Sequence, residues 1–257
     1  MDCTRFLKKR SGRLSFRRIQ TSWGSYFYNE KDDALRVEVV PQTTAYTEWL
    51  TYDFIIKNPA STTLALKWEE LMVPVKIEAD VTGAYLTKIR QELQNSPGFT
   101  WQNWVAAVNF CLSNGINLDE ALQWSEYAIS APFIGEKNFT TLTTKSRVLY
   151  KLNKKAEGDK TVADAMAEST ATMNEVHNFG RQLLTDGNPE KALEVFELNR
   201  KNHPDDKFAT IVGLARGYEA MGKNKLAVKN YRIAAENAPE GQRDYYLGLA
   251  GALESKE

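Results

Sequence analysis

Three arginines recur along the second half of the chain at almost constant spacing. Arg147, Arg181 and Arg216 lie 34 and 35 residues apart. A guanidinium is a rigid fork of donors that meets a carboxylate in two parallel hydrogen bonds, so a periodic row of them suits acidic groups. Other residues with chemical potential are sparse. His177 and His203 are 26 residues apart, with no Cys or carboxylate at ligand spacing, and read as exposed or capping side chains. Cys3 and Cys111 are too few and too far apart for a disulfide framework or a Cys-rich zinc site. Glu69-Glu70 and Asp32-Asp33 are adjacent carboxylate pairs. Neighbours on a strand point to opposite faces, so these read as solvated turn residues rather than acid/base couples. The sequence contains no Gly-rich phosphate loop, no G-x-S-x-G elbow and no H-E-x-x-H. Trp23, Trp49, Trp68, Trp101, Trp104 and Trp124 have the ring chemistry to stack on sugars or bases, but their spacing assigns most of them to packing. The expectation is a chain with no catalytic residue, cofactor or metal.

The arginine spacing points to a repeat. Residues 173–206 superimpose on residues 208–239 with a shift of 35. Phe179 falls on Leu214, Gly180 on Ala215, Leu183 on Tyr218, Gly187 on Gly222, Ala192 on Ala227, Phe196 on Tyr231 and Pro204 on Pro239. Each unit reads as two helices joined by a Gly turn and closed by Pro, and this pattern resembles the tetratricopeptide repeat. Two weaker copies lie upstream. Trp104, Val108, Cys111, Gly115, Ala121 and Ala128 fit with one inserted residue and close at Pro132. Leu142, Ser146, Leu149 and Ala165 fit with Asn153 in place of the turn Gly and Gly158 in place of the usual Ala. Gln242–Ser255 reads as a capping helix.

The resemblance implies a groove built from the first helix of every repeat, with peptides held through fixed positions of that helix. Position nine is occupied by Asn109, Arg147, Arg181 and Arg216. Position five adds His177, and position two adds Asn174. These six residues are the expected peptide-binding set, and the expected partner is another protein or peptide of acidic character. They do not form the Lys/Asn carboxylate clamp of chaperone-binding repeats. Two alternatives stand beside this reading. The arginines pair with acids of neighbouring helices, or the chain's own acidic β-region fills the groove.

Ahead of the repeats the periodicity changes to two. Leu35, Val37 and Val39 alternate with Arg36 and Glu38, and Leu50, Tyr52, Phe54 and Ile56 share a face. Asn58–Ser61 is a turn, and Leu64, Leu66 and Trp68 form the next face. Glu69-Glu70 turns the chain again before Val73, Val75 and Ile77. Pro74 favours an edge. The reading is a partial antiparallel sheet over residues 21–80, a connector helix within 81–97, and helical repeats over 98–257. The fold class is α+β: a small antiparallel β-domain followed by an α-helical solenoid.

Thirty-three basic residues balance thirty-three acidic ones. The balance is uneven along the chain: residues 1–20 hold seven bases against Asp2, and residues 21–80 hold five bases against ten acids. With neither alternation nor a helical stripe, residues 1–20 read as an unstructured or spurious basic arm. The overall neutrality disfavours nucleic acid as a partner. No run approaches the ~18 apolar residues of a membrane helix.

Several segments together resemble the uncharacterised bacterial family called domain of unknown function 2911. They are TSWGSYFYNEKDDALRVEVVP, EWLTYDF, LALKWEELMVPVKIEAD, PGFTWQNWVAAVNFCLSNGINLDEAL and NFTTLTTKSRVLYKL, and they cover roughly residues 21–170. The resemblance implies a β-rich domain leading into tetratricopeptide-like helices, and no established activity. It also implies further strands upstream that residues 1–20 do not match. That suggests a truncated member whose arm replaces half a domain. As written, the chain has no signal peptide and is expected in the cytoplasm. A missing natural start would make it an exported protein. The function expected is a non-enzymatic protein–protein interaction module. The alternative is an enzyme or carbohydrate-binding protein of the cell envelope, with its site in the incomplete β-domain.

Overall fold

The computed structural model describes residues 3–8, 11–17, 26, 28–168 and 171–255. The start of the sheet expected over residues 21–80 falls largely outside them. The chain divides into two units, residues 1–88 and 89–257.

The first unit opens with two strands where an unstructured arm was expected. β1 (Cys3–Lys8), β2 (Ser11–Arg17) and β3 (Asp33–Val39) form an antiparallel sheet in that order. Alternation is present in β2, but the partner of each apolar residue lies twenty residues away: Leu14 stands opposite Val37 and Phe16 opposite Leu35. Read alone, seven residues that include Arg13 and Arg17 hide that pairing. The same register sets Arg13 opposite Glu38 and Arg17 opposite Asp33.

β4 (Gln42–Asn58) and β5 (Ser61–Glu78) form a second, two-stranded antiparallel sheet. Glu69-Glu70 does not turn the chain. Glu69 takes a left-handed backbone (φ 52°) inside β5, and the register jumps from Thr47 opposite Glu69 to Thr51 opposite Lys67. β5 is therefore one continuous strand where two are expected, and the irregularity falls on its partner: four residues of β4 pass two of β5 on each side of Glu69. The paired register stops at Met72, so Pro74 sits where no ladder hydrogen bond is asked of it. The core of this unit is small: Leu14, Leu66, Val73 and Val75, with Phe16, Val39 and Leu64 against them. The face shared by Leu50, Tyr52, Phe54 and Ile56 is not part of it, each being between 50% and 56% exposed.

The Asp32-Asp33 pair also departs from expectation. Asp33 is a buried acceptor, not a solvated turn residue. It takes hydrogen bonds from the Tyr28 hydroxyl at 2.7 Å and Arg36 Nε at 2.5 Å.

Among the described residues ten α-helices follow. α1 (Val81–Leu93) crosses into the second unit, and four helical hairpins come after it. They are α2 (Trp101–Asn114) with α3 (Leu118–Ser130), α4 (Phe139–Lys151) with α5 (Lys155–Ala167), α6 (Met173–Thr185) with α7 (Pro189–Asn202), and α8 (Ala209–Ala220) with α9 (Asn224–Glu236). α10 (Arg243–Glu254) packs on α9. Each hairpin reverses on a left-handed residue: Gly115 (φ 64°), Asn153 (φ 60°), Gly187 (φ 83°) and Gly222 (φ 69°). Asn153 can stand in for Gly because Asn pays the smallest penalty of any side chain in that conformation. Capping boxes start two of the hairpins, Asn138 with Thr141 on α4 and Thr172 with Glu175 on α6.

The small residues of the pattern make room for rings. A side chain at Gly158 would collide with Tyr150, and side chains at Gly180, Gly213 and Gly217 would collide with Phe196 or its neighbour Leu193. Phe139, Phe179, Leu183, Val195 and Phe196 belong to one core, and Ile211, Tyr231, Ala234, Tyr246 and Leu253 to the next. Cys111 is fully buried in α2, where burial pushes its thiol up to about 11 and removes it as a nucleophile at neutral pH. No helix among the described residues is long and apolar enough to cross a membrane.

Candidate functional site

The first helices of adjoining hairpins pack on one another, α2 on α4 and α6 on α8. Two depressions open on this face. One, of about 150 Å³, includes Asn109, Thr140, Thr144, Arg147, Asn178 and Gln182 in its wall. The other, of about 370 Å³, is lined by Arg147, Asn178, Arg181, Gln182 and Thr185. Three of the six expected residues, Asn109, Arg147 and Arg181, thus border connected hollows.

The three arginines are not equivalent. Arg147 is 9% exposed and fully engaged. Its Nε donates to Asp186 Oδ2 at 2.6 Å, its Nη2 to Asp186 Oδ1 at 3.4 Å and its Nη1 to Asn109 Oδ1 at 2.9 Å. Asp186 is the residue that ends α6, and Lys151 Nζ reaches its carbonyl oxygen at 3.2 Å. This clamp joins the first three repeats, and it matches the alternative in which an arginine of the row pairs with an acid of a neighbouring hairpin.

Arg181 is exposed, and Arg216 is half-buried. Neither forms an ion pair among the described residues. Arg216 Nε is buried without a hydrogen-bond partner there. His177 lies one turn before Arg181 on α6, half-buried, its ring 5.7 Å from that of Phe196. Burial lowers its pKa below the ordinary 6.5, and the charges of Arg216 and Arg181 lower it further. Its Nδ1 is also buried and unpartnered. Asn174 is exposed in the first turn of α6.

The start of α8 is held by hydrogen bonds of its own. Asp206 accepts hydrogen bonds from the backbone N–H of Thr210 at 2.7 Å and of Phe208 at 3.3 Å, and from the Thr210 hydroxyl at 2.9 Å. Arg200 donates to the carbonyl oxygen of Asp206 and to Thr210 Oγ1. His203 is not free: its Nδ1 lies 3.1 Å from the carbonyl oxygen of Asn199. No group of three His, Cys, Asp or Glu among the described residues is arranged to hold a metal.

Sequence reasoning missed Asp186, Asn178 and Gln182. The residues that end α4, α6 and α8 are Leu152, Asp186 and Met221. An acid where the neighbouring repeats carry apolar residues was the available signal for Asp186. Asn178 and Gln182 carry no such mark.

Residues 6–77 match the family model described as "Protein of unknown function (DUF2911)". The DUF2911 segment begins inside β1 and ends within β5, ahead of the helices. It therefore includes most of the stretch expected to be a basic arm outside the family, which corrects the expectation that residues 1–20 do not match it. None of the residues around Arg147, Arg181 and Arg216 lies within it. No curated protein matches the chain.

Proposed function

We propose that the helical region is a non-enzymatic protein–protein interaction module, holding an extended peptide of another protein on the face made by α2, α4, α6 and α8. The observation that carries this reading is Arg181. It is an exposed guanidinium with no acid partner among the described residues, on the wall of an open polar hollow. An unpaired surface charge beside neutral amides and hydroxyls suits a segment that brings an acidic group and main-chain hydrogen bonds. Asn174 extends the same exposed face toward the start of α6.

The test is a random-peptide display selection on the full chain, with a photo-crosslinking residue then placed in the selected peptides. Selected peptides should crosslink to α4 and α6. The double variant Arg181→Glu with Arg216→Glu should lose them while keeping nearly the wild-type melting temperature. Crosslinks that map elsewhere, or binding unchanged by the double variant, would overturn the reading.

A second reading is favoured by one observation in the DUF2911 segment. Tyr46, Trp49 and Tyr52 of β4 are exposed, Trp49 at 80%. Exposed rings on a strand suit stacking on apolar ligand faces, sugars included. Quenching of tryptophan fluorescence by oligosaccharides, abolished by Trp49→Ala, would support it over the groove.

A further inference from the structure

The two ends of the groove carry different chemistry. At the α2–α4 end the charge is neutralised: Arg147 is committed to Asp186 and Asn109, and both members of the ion pair are about nine-tenths buried. At the α6–α8 end three nitrogen-bearing side chains converge, and nothing among the described residues forms an ion pair with them. Arg181 and Arg216 occupy equivalent positions on two packed helices, and His177 precedes Arg181 by one turn. Both arginines act on the His177 ring. Asp206 also acts on it, and its Oδ2 is already held by the start of α8. Glu219, one turn after Arg216 on α8, is engaged by the Tyr231 hydroxyl at 2.6 Å, and neither Arg181 nor Arg216 forms an ion pair among the described residues. Asn178 and Gln182 line the hollow between α4 and α6 together with Arg181 and the already committed Arg147, and supply amides that donate and accept on that side of Arg181.

Resting on the peptide-groove reading, we propose that the α6–α8 end is a carboxylate-recognition site. Arg181 and Arg216 take the acidic group of the bound segment, and Asn178 and Gln182 take the main chain beside it. Arg147 has no part in recognition and serves as a structural clamp. Each guanidinium fork can take a carboxylate in two parallel hydrogen bonds; the same forks would also fit a phosphate, and the phosphoserine comparator below decides between them. A neutral peptide would leave the two arginines without an ion-pair partner.

The experiment uses the full chain and a fluorescein-labelled peptide of alternating Gly and Glu. The same peptide with Gln, and one with phosphoserine, serve as comparators. Fluorescence anisotropy should show the Glu peptide binding at least tenfold more tightly than the Gln peptide. Arg181→Gln should weaken it roughly tenfold, the loss expected for a charge-assisted pair. Added salt should weaken it further. Arg147→Gln should lower the melting temperature and leave the affinity of the folded protein within twofold. Arg181 is exposed, so Arg181→Gln should keep wild-type helicity by circular dichroism, which separates lost binding from lost folding.

Equal affinity for the Glu and Gln peptides, or no effect of Arg181→Gln, would overturn the carboxylate site. Tenfold tighter binding of the phosphoserine peptide would overturn it in favour of phosphate. Neutral peptides that crosslink to α4 and α6 would end this inference while leaving the groove standing, whereas crosslinks that map elsewhere end both.

Discussion

The two units bury apolar residues in different ways. In the helical repeats Phe179, Leu183, Phe196 and Tyr231 are almost wholly removed from water, each lying where the repeat pattern places a core residue. In the β-unit Leu50, Tyr52, Phe54 and Ile56 obey a clean period of two and yet remain half exposed. Periodicity says which residues share a face, and only a second layer decides whether that face is covered. A repeat carries its own second layer, since each hairpin is covered by the next. In the β-unit the cover is partial: Leu66, Val73 and Val75 of β5 are buried with Leu14, whereas the equally regular face of β4 stays half in water.

The sharpest way to break that contrast is to empty the repeat core. Phe196→Ala should cost about 3–5 kcal/mol in denaturant unfolding, because the ring is fully buried and wedged against three glycines. A loss near that of a surface change would mean the hairpins are not tightly stacked. Next comes the clamp. Asp186→Ala leaves Arg147 buried without its carboxylate and should cost about 3 kcal/mol, read from the melting curve. Restoring stability with Arg147→Leu in the same chain would show that the penalty is the orphaned charge.

The histidine gives a smaller, pH-dependent effect. His177 has a folded pKa below its unfolded value, so between the two values the unfolded chain binds more protons and stability rises with pH. Its contribution is complete above about 6.5 and is lost as the pH falls below that value. Melting temperatures measured from pH 7.5 to pH 5 should decline, and His177→Gln should flatten that decline. A variant that keeps the full slope would assign it elsewhere. Asn153→Ala should cost about 1 kcal/mol through its left-handed backbone, and Asn153→Gly should not. The smallest effect belongs to the other unit: Phe54→Ser should change stability by less than about 1 kcal/mol, because its ring is already half in water. A cost above 2 kcal/mol would show that this face is covered in solution.

These contrasts also explain what was legible beforehand. The four hairpins and the capping helix follow from apolar spacing, turn residues and closing prolines, and even the departure at Asn153 keeps the required backbone. β1 and β2 were hidden because a short strand that includes Arg13 and Arg17 shows its pattern only against its partner, and Leu14 meets Val37 across a long gap in sequence. A polar pair such as Glu69-Glu70 looks alike at a turn and inside a long strand, and only the ladder with β4 tells them apart. In the site, the row of arginines was visible, but its division was not. The difference between Arg147 and Arg181 lies in Asp186, which comes from another hairpin and has no counterpart in the period.

Phe196 has a consequence for how the chain unfolds. Its ring belongs to the third hairpin, but Gly180 lies on one side of it in the same hairpin and Gly213 and Gly217 on the other in the next. A stacked array behaves as a line of units, each with its own stability and a coupling to its neighbour. Phe196 is a coupling element, so its loss should weaken the link between the third and fourth units as well as the units themselves. Hydrogen exchange would then report the last two hairpins opening separately, where the wild-type chain opens them together.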